Sequence, residues 1–276
     1  MVSQTEFQEM QVVVAGGTLA CHTIGTGEGL VIVHGAMQSG ASQADLAELL
    51  AARYTVHLID RRGRGSSTAP AAASADLEVD DVQAVVEATG ARRVMGVSSG
   101  AILAARLALR VPSLERLVLF EPPLSIDGSM RLERTAAFDA ALAGGDLCRA
   151  MAVAMRIAEM GPPWMFRLPI PLLAMMSRRM LTPERKPLAA GLEADVAIIR
   201  ASAERVADFA AIATPTLVLD GTATRPYLRK AAGALAATIP GARRVSLEGL
   251  FHAATQNRDE FGSPDAVVPT LLDFLT

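Results

Sequence analysis

Arg93-Val94-Met95-Gly96-Val97-Ser98-Ser99-Gly100-Ala101-Ile102-Leu103-Ala104 enters as a short apolar run, passes through Gly-x-Ser-x-Gly, and leaves as Ala/Leu-rich helical sequence. An apolar run of this length, stopped by a turn signal, predicts a strand buried on both faces. Turning at once from strand into helix puts Ser98 at the apex of a strained elbow, its hydroxyl held above the sheet. Gly96 and Gly100 fall where a Cβ would collide with the crossing backbone. The helix that follows aims its first N–H groups, with their partial positive charge, at an anion. A glycine-rich turn would account for the two glycines alone. The strand before and the helix after favour a nucleophile.

Outward from the elbow the same alternation repeats. Upstream, Leu30-Val31-Ile32-Val33 and Thr55-Val56-His57-Leu58-Ile59 read as strands, with a helix predicted over 41–53 between them and another within 71–89. Two runs joined at Gly16-Gly17, over 11–15 and 18–24, read as a hairpin. Gly25-Thr26-Gly27-Glu28-Gly29 leads into a strand and opens no helix, so it is read as a turn and not as a phosphate loop. Downstream, a helix over 99–110 is followed by a strand ending at Phe120, closed by Glu121-Pro122-Pro123. Strands over 215–221 and 243–247, with helices over 227–238 and 265–274, complete the pattern. Asp60-Arg61-Arg62-Gly63-Arg64-Gly65 after the fourth strand admits anion capture by its arginines. The favoured reading is a local ion-pair and hydrogen-bond network with Asp60 that fixes the turn.

Between 124 and 213 the alternation disappears. The segment is helical in pattern, broken by Pro162-Pro163, Pro169, Pro171, Pro183 and Pro187, and holds eight of the twelve methionines. Such a concentration of flexible apolar side chains fits an adaptable wall better than plain core.

Composition narrows the possibilities. With 276 residues, 51% of them hydrophobic, the chain can cover both faces of a large sheet. A net charge of -3 leaves no basic footprint, so nucleic acid is not an expected partner. Cys21 and Cys148 have no metal-ligand spacing and are expected as free thiols of a reducing cytoplasm. The polar start, Met1-Val2-Ser3-Gln4-Thr5-Glu6, lacks a signal-peptide core, and no stretch is apolar enough to span a membrane. No metal and no cofactor motif is found, and a monomer or homodimer is expected.

In this order the motifs resemble the α/β-hydrolase fold superfamily: His34-Gly35 after the third strand, Asp60-Arg61-Arg62-Gly63-Arg64-Gly65 after the fourth, the Ser98 elbow, and Gly249-Leu250-Phe251-His252 after the last. The resemblance implies an α/β fold: a mostly parallel eight-stranded sheet with helices on both faces. Its core would take residues 1–123 and 214–276, with a helical cap inserted over 124–213. It also implies a nucleophile–acid–histidine triad in chain order. Ser98 is the nucleophile, His252 the base, and the backbone N–H groups of Ala36, Met37 and Ser99 the oxyanion hole. His34 would shape that loop. His22 and His57, inside strands, take structural roles.

The acid departs from the family's commonest pattern, which puts Asp three residues after the glycine ending the seventh strand. Here that position is Thr224. Three explanations stay open: Glu121 at the end of the sixth strand, Asp220 before the glycine, or no acid at all. Glu121 is favoured, because a carboxylate directly after an apolar strand lies on the same sheet edge as Ser98. The expected activity is cleavage of an ester, thioester or lactone of a hydrophobic small molecule through a Ser98 acyl-enzyme. The alternatives are a lyase or cyclase using Ser98 and His252 as acid and base, and a non-catalytic ligand-binding module.

Overall fold

In the computed structural model the two runs flanking Gly16-Gly17 fold back on each other. β1 (Gln8–Val14) pairs antiparallel with β2 (Gly17–Ile24), Val12 facing Leu19. The structure describes residues 6–72, 74–183, 185–189 and 191–276; the polar start read over Met1–Thr5 lies outside them. β3 (Glu28–Val33) follows, then the single-turn 3₁₀ stretch Gly40–Gln43 and α1 (Ala44–Leu50). The helix expected over 41–53 is thus split. Next come β4 (Tyr54–Ile59), α2 (Ala75–Thr89), β5 (Arg93–Val97), α3 (Ser99–Ala108) and β6 (Arg116–Phe120). The Ser74 hydroxyl accepts the Leu77 N–H at the start of α2, and Gly90 closes the helix with φ +67°.

Every described element between β6 and the seventh strand is helical: α4 (Thr135–Ala143), α5 (Leu147–Ile157), α6 (Ile170–Met180), α7 (Lys186–Ala189) and α8 (Leu192–Ala201), with 3₁₀ turns at Leu132–Arg134, Pro163–Arg167 and Val206–Ala211. The alternation then resumes with β7 (Thr216–Gly221), α9 (Pro226–Thr238), β8 (Arg243–Leu247) and α10 (Pro264–Leu275).

The eight strands form one sheet in the order β1-β2-β4-β3-β5-β6-β7-β8. β1, β2 and β4 pair antiparallel; every neighbour from β4 through β3 to β8 is parallel. The two-residue period of a strand divides the core in two. Val31 and Val33 of β3, with Leu117 and Leu119 of β6, face α2, α3 and α9; Leu30, Ile32, Val118 and Phe120 face α1 and α10. This is a doubly covered parallel sheet.

The methionines of 124–213 do not form one wall. Met130, Met151, Met155 and Met165 are buried, whereas Met160, Met175 and Met180 are exposed. Met151 and Met155 sit on the inward stripe of α5, which packs against α4 and α6. Among the described residues no helix is long and apolar enough to cross a membrane. Cys21 is buried, Cys148 half-buried, and both are free thiols.

Candidate active site

The elbow forms as steric necessity demands. Ser98 takes φ +54° and ψ −125°, between β5 and α3, a conformation that costs about 1–3 kcal/mol for a residue with a side chain. A Cβ on Gly96 would sit on Gly100 and Ala101, and one on Gly100 would sit on the carbonyls of Val33 and His34. The turn is held by the Ser98 N–H, which donates to the Phe120 carbonyl at 2.9 Å.

His34-Gly35-Ala36-Met37 leaves the end of β3 beside it. A Cβ on Gly35 would come within 2.8 Å of the Ser98 Cβ, so this loop lies directly against Ser98. The Gly35 N–H donates to Gln38 Oε1 at 2.8 Å, and Met37 adopts φ +58°. Among the described residues, the N–H groups of Ala36, Met37 and Ser99 are not spent on backbone acceptors outside regular ladders. His34 is fully buried; its Nδ1 meets the Gly35 carbonyl at 2.8 Å, and its Nε2 accepts the Arg61 N–H at 3.2 Å. Burial and the neighbouring Arg61 and Arg64 charges push its pKa down to about 3, so it is neutral at any ordinary pH.

Glu121 follows β6 in a left-handed conformation, φ +45°, with its side chain buried. Its Oε1 accepts the Gly221 N–H at 2.8 Å and its Oε2 accepts the Thr224 hydroxyl at 2.8 Å. The end of β7 approaches the last loop so closely that a Cβ on Gly221 would overlap the Leu250 carbonyl. This contact brings His252 over the sheet edge, its ring stacked on Phe120 with centroids 6.5 Å apart. His252 Nδ1 lies 2.6 Å from Glu121 Oε2, and Nε2 lies 3.1 Å from Ser98 Oγ. Side-chain exposure is 38% for His252 and zero for Glu121, so the imidazole is open to water while the carboxylate is not.

Of the four residues named from the sequence for nucleophile, base and acid, the structure brings Ser98, His252 and Glu121 into one hydrogen-bonded line and leaves Asp220 out. Asp220 is buried at the far side of β7, where it accepts from Arg244 at 2.8 and 3.0 Å and from the Ser246 hydroxyl. His22 and His57 are also elsewhere, against Asp60 and Thr23.

The arginine turn matches its sequence reading in part: hydrogen bonds to Asp60 fix it, but its arginines pair elsewhere. Asp60 binds none of the three arginines; it accepts from the Gly40 and Ser66 N–H groups and pairs with His22. Arg62 instead forks onto Asp81 of α2 at 2.6 and 2.7 Å. Arg61 reaches Glu78 at 2.6 Å and Asp195 at 2.8 Å, and Arg64 reaches Asp195 at 2.7 Å. The reason is reach: guanidinium groups this long bridge to neighbouring helices, while backbone amides take the short Asp60 carboxylate. Two features near the site escape the sequence reading. Thr224 cannot carry a charge, but its hydroxyl can donate. Asp195 carries one detectable signal, a lone acid within the apolar run Val196-Ala197-Ile198-Ile199 and Ala194. Among the described residues no three His, Cys, Asp or Glu side chains converge as a metal set would require.

Comparison with known proteins bears on the fold and the family. Over 135 residues the chain is 33% identical to N-formylmaleamate deformylase of Pseudomonas putida, a match covering 43% of this chain and 49% of that protein. The chain thus spans about half the length of that curated relative. An alpha/beta hydrolase from Sphaerobacter thermophilus is 34% identical in sequence, superposes with a TM-score of 0.79, and is matched over 98% of this chain and 100% of its own. The enol-lactonase of Burkholderia xenovorans superposes with a TM-score of 0.66 at 25% identity, over 96% of this chain and 99% of its own. The sequence profile of the Alpha/beta hydrolase family matches residues 30–267. With that span and this fold, the chain belongs to the alpha/beta hydrolase family.

Proposed function

We propose that the chain is a serine hydrolase that cleaves an ester, thioester or lactone of a hydrophobic small molecule through a Ser98 acyl-enzyme. The observation that carries this is the continuous line from Ser98 Oγ through His252 to Glu121, at 3.1 and 2.6 Å. His252 Nε2 takes the Ser98 proton as Oγ attacks the carbonyl carbon, and returns it to the leaving group as the tetrahedral intermediate collapses. Water then repeats the sequence on the acyl-enzyme, reaching an imidazole that is partly open to solvent. Glu121 accepts the Nδ1 proton in a hydrogen bond, which leaves Nε2 free as a base, and its negative charge stabilises the imidazolium that forms. Backbone N–H groups of Ser99, Ala36 and Met37 receive the oxyanion, a charge that develops only in the transition state.

The carboxylate at His252 Nδ1 supports hydrolysis over an acid/base-only lyase or cyclase, a reading that draws its strength from the missing Asp at position 224. Residues 124–213 act as the cap over this edge and supply the apolar wall for the acyl group. The similarity to a deformylase and to an enol-lactonase widens the panel worth assaying to N-formyl amides and enol lactones.

The test is exposure to a fluorophosphonate probe with mass spectrometry of the labelled peptide. Label on Ser98, lost in Ser98→Ala together with up to ~10⁶-fold of the turnover, is the expected result. Unlabelled Ser98 alongside esterase activity would refute the acyl-enzyme.

A further inference from the structure

Asp195 is a buried charge that starts in the 124–213 segment and ends at the elbow. It projects from α8 and is 1% exposed. Its Oδ1 accepts the Ser99 hydroxyl at 2.7 Å and Arg61 Nη1 at 2.8 Å; its Oδ2 accepts Arg64 Nη2 at 2.7 Å. The same Arg61 Nη1 lies 3.3 Å from the His34 carbonyl and 3.2 Å from Ser99 Oγ. Both segments that carry the proposed oxyanion donors are therefore tied to one carboxylate, the first turn of α3 directly through Ser99 and the loop after β3 through Arg61. Burial would raise the Asp195 carboxyl, but Arg64, Arg61 and the Ser99 hydroxyl hold it down at about 2.

As a device for stability this cluster is poor. Two arginines face two carboxylates, and Arg61 Nη2, Arg64 Nε and Nη1, and Glu78 Oε1 find no hydrogen-bond partner among the described residues. Apolar side chains of similar volume are often as stabilising as a buried ionic cluster, or more so. What the ionic cluster adds is direction, because each hydrogen bond admits a narrow range of angles.

We propose that Asp195 and the Ser99 hydroxyl are positioning residues: they fix the Ser99 N–H toward the developing oxyanion, so that acyl transfer depends on α8 being seated against the elbow. This rests on the serine-hydrolase reading above and extends it. The inserted segment becomes part of the catalytic apparatus as well as a wall for substrate. A misaligned donor is felt most where the oxyanion charge develops, so the loss belongs in kcat and not in KM.

Ser99→Ala tests this directly, because it removes the hydroxyl and leaves Asp195 paired with Arg61 and Arg64. Asp195→Asn is the harsher companion. The readouts are kcat and KM for p-nitrophenyl butyrate, the affinity for butylboronic acid, whose adduct on Ser98 mimics the tetrahedral intermediate, and Tm. For Ser99→Ala, kcat falls about 10-fold or more. Boronate affinity weakens by a like factor, KM stays within about twofold, and Tm stays near the parent. Asp195→Asn loses at least as much kcat per folded molecule. A lowered Tm with kcat and boronate affinity at parent values would mean a structural role alone and overturn the proposal. Ser98→Ala, run in parallel, separates the two layers: parent-like turnover there sinks the acyl-enzyme reading, and the proposal with it.

Discussion

The Thr224 hydroxyl donates to Oε2 of Glu121 at 2.8 Å, and that same oxygen lies 2.6 Å from Nδ1 of His252. The position where the family's commonest pattern carries its acid thus supplies a proton donor, and the carboxylate stands one strand over, after β6. β6 and β7 are parallel neighbours, with Phe120 in register with Leu219, so both strand ends open onto the edge that His252 overhangs. A carboxylate from either can reach the ring.

If Glu121 holds the His252 tautomer, Glu121→Gln lowers kcat on the order of 10⁴-fold with little change in KM. Asp220→Asn keeps kcat within about threefold and instead costs about 1 kcal/mol of stability, because it weakens the pairing of the buried Asp220 carboxylate with the exposed Arg244. Steady-state kinetics and urea denaturation of both variants check this. A fully active Glu121→Gln enzyme contradicts the assignment.

Thr224→Val keeps the shape of the side chain and deletes one of the hydrogen bonds that fix Glu121. The expected outcome is about a 10-fold drop in kcat at unchanged KM, smaller than that of Glu121→Gln because the Gly221 N–H still anchors Oε1. Equal losses in the two variants would mean that the hydroxyl is as indispensable as the acid, contrary to this ranking.

Substrate preference is checked with a series of p-nitrophenyl esters from acetyl to hexanoyl. An apolar acyl site under 124–213 raises kcat/KM along the series, by up to about 0.8 kcal/mol per CH₂ fully buried. A flat or falling series would argue against that site.

His34 gives the fold a pH dependence of definite sign. Its folded pKa, about 3, is below the unfolded value near 6.5, so between these the unfolded chain binds the extra proton. Stability therefore falls as pH falls below about 6.5, by up to about 1.4 kcal/mol per unit. His57, lowered by burial, adds to this; His22, raised by its hydrogen bond to Asp60, opposes it. Asp60 and Asp195, both held low, withdraw their support only below about pH 4. Denaturation of parent and His34→Gln at pH 7 and pH 5 isolates the His34 share: the variant loses about 2 kcal/mol less over that interval. Parallel curves would show that His34 is not kept neutral by the fold.

The sequence displays what depends on short-range pattern. The apolar run before Gly96, the two glycines around Ser98 and the Pro122-Pro123 stop mark strand ends, and strand ends are where side chains of a parallel sheet gather. That logic also singles out Glu121 ahead of Asp220, since successive residues along a strand point to opposite faces. Partner choice over long separations is not readable. Ser99 and Asp195 are 96 residues apart, and no periodicity links them. Sequence proximity pairs the arginines after Asp60 with the nearest acid, whereas their length carries them to α2 and α8. The methionines read as one wall because composition gives no facing, and α5 and α6 turn them both inward and outward.

Met37, Ser98 and Glu121 all hold positive φ, at 58°, 54° and 45°, and all three sit where β3, β5 and β6 open onto the same edge. None is glycine, so each holds its backbone angle against its own side chain, at about 1–3 kcal/mol apiece. A campaign of directed evolution that screened only for heat resistance would find relief here, since glycine at any of the three relaxes the chain. At Ser98 and Glu121 that relief would delete the side chains on which the proposed chemistry rests. Met37 is the exception, because the proposal asks of it only a backbone N–H that glycine retains, and there thermal selection and turnover need not pull apart.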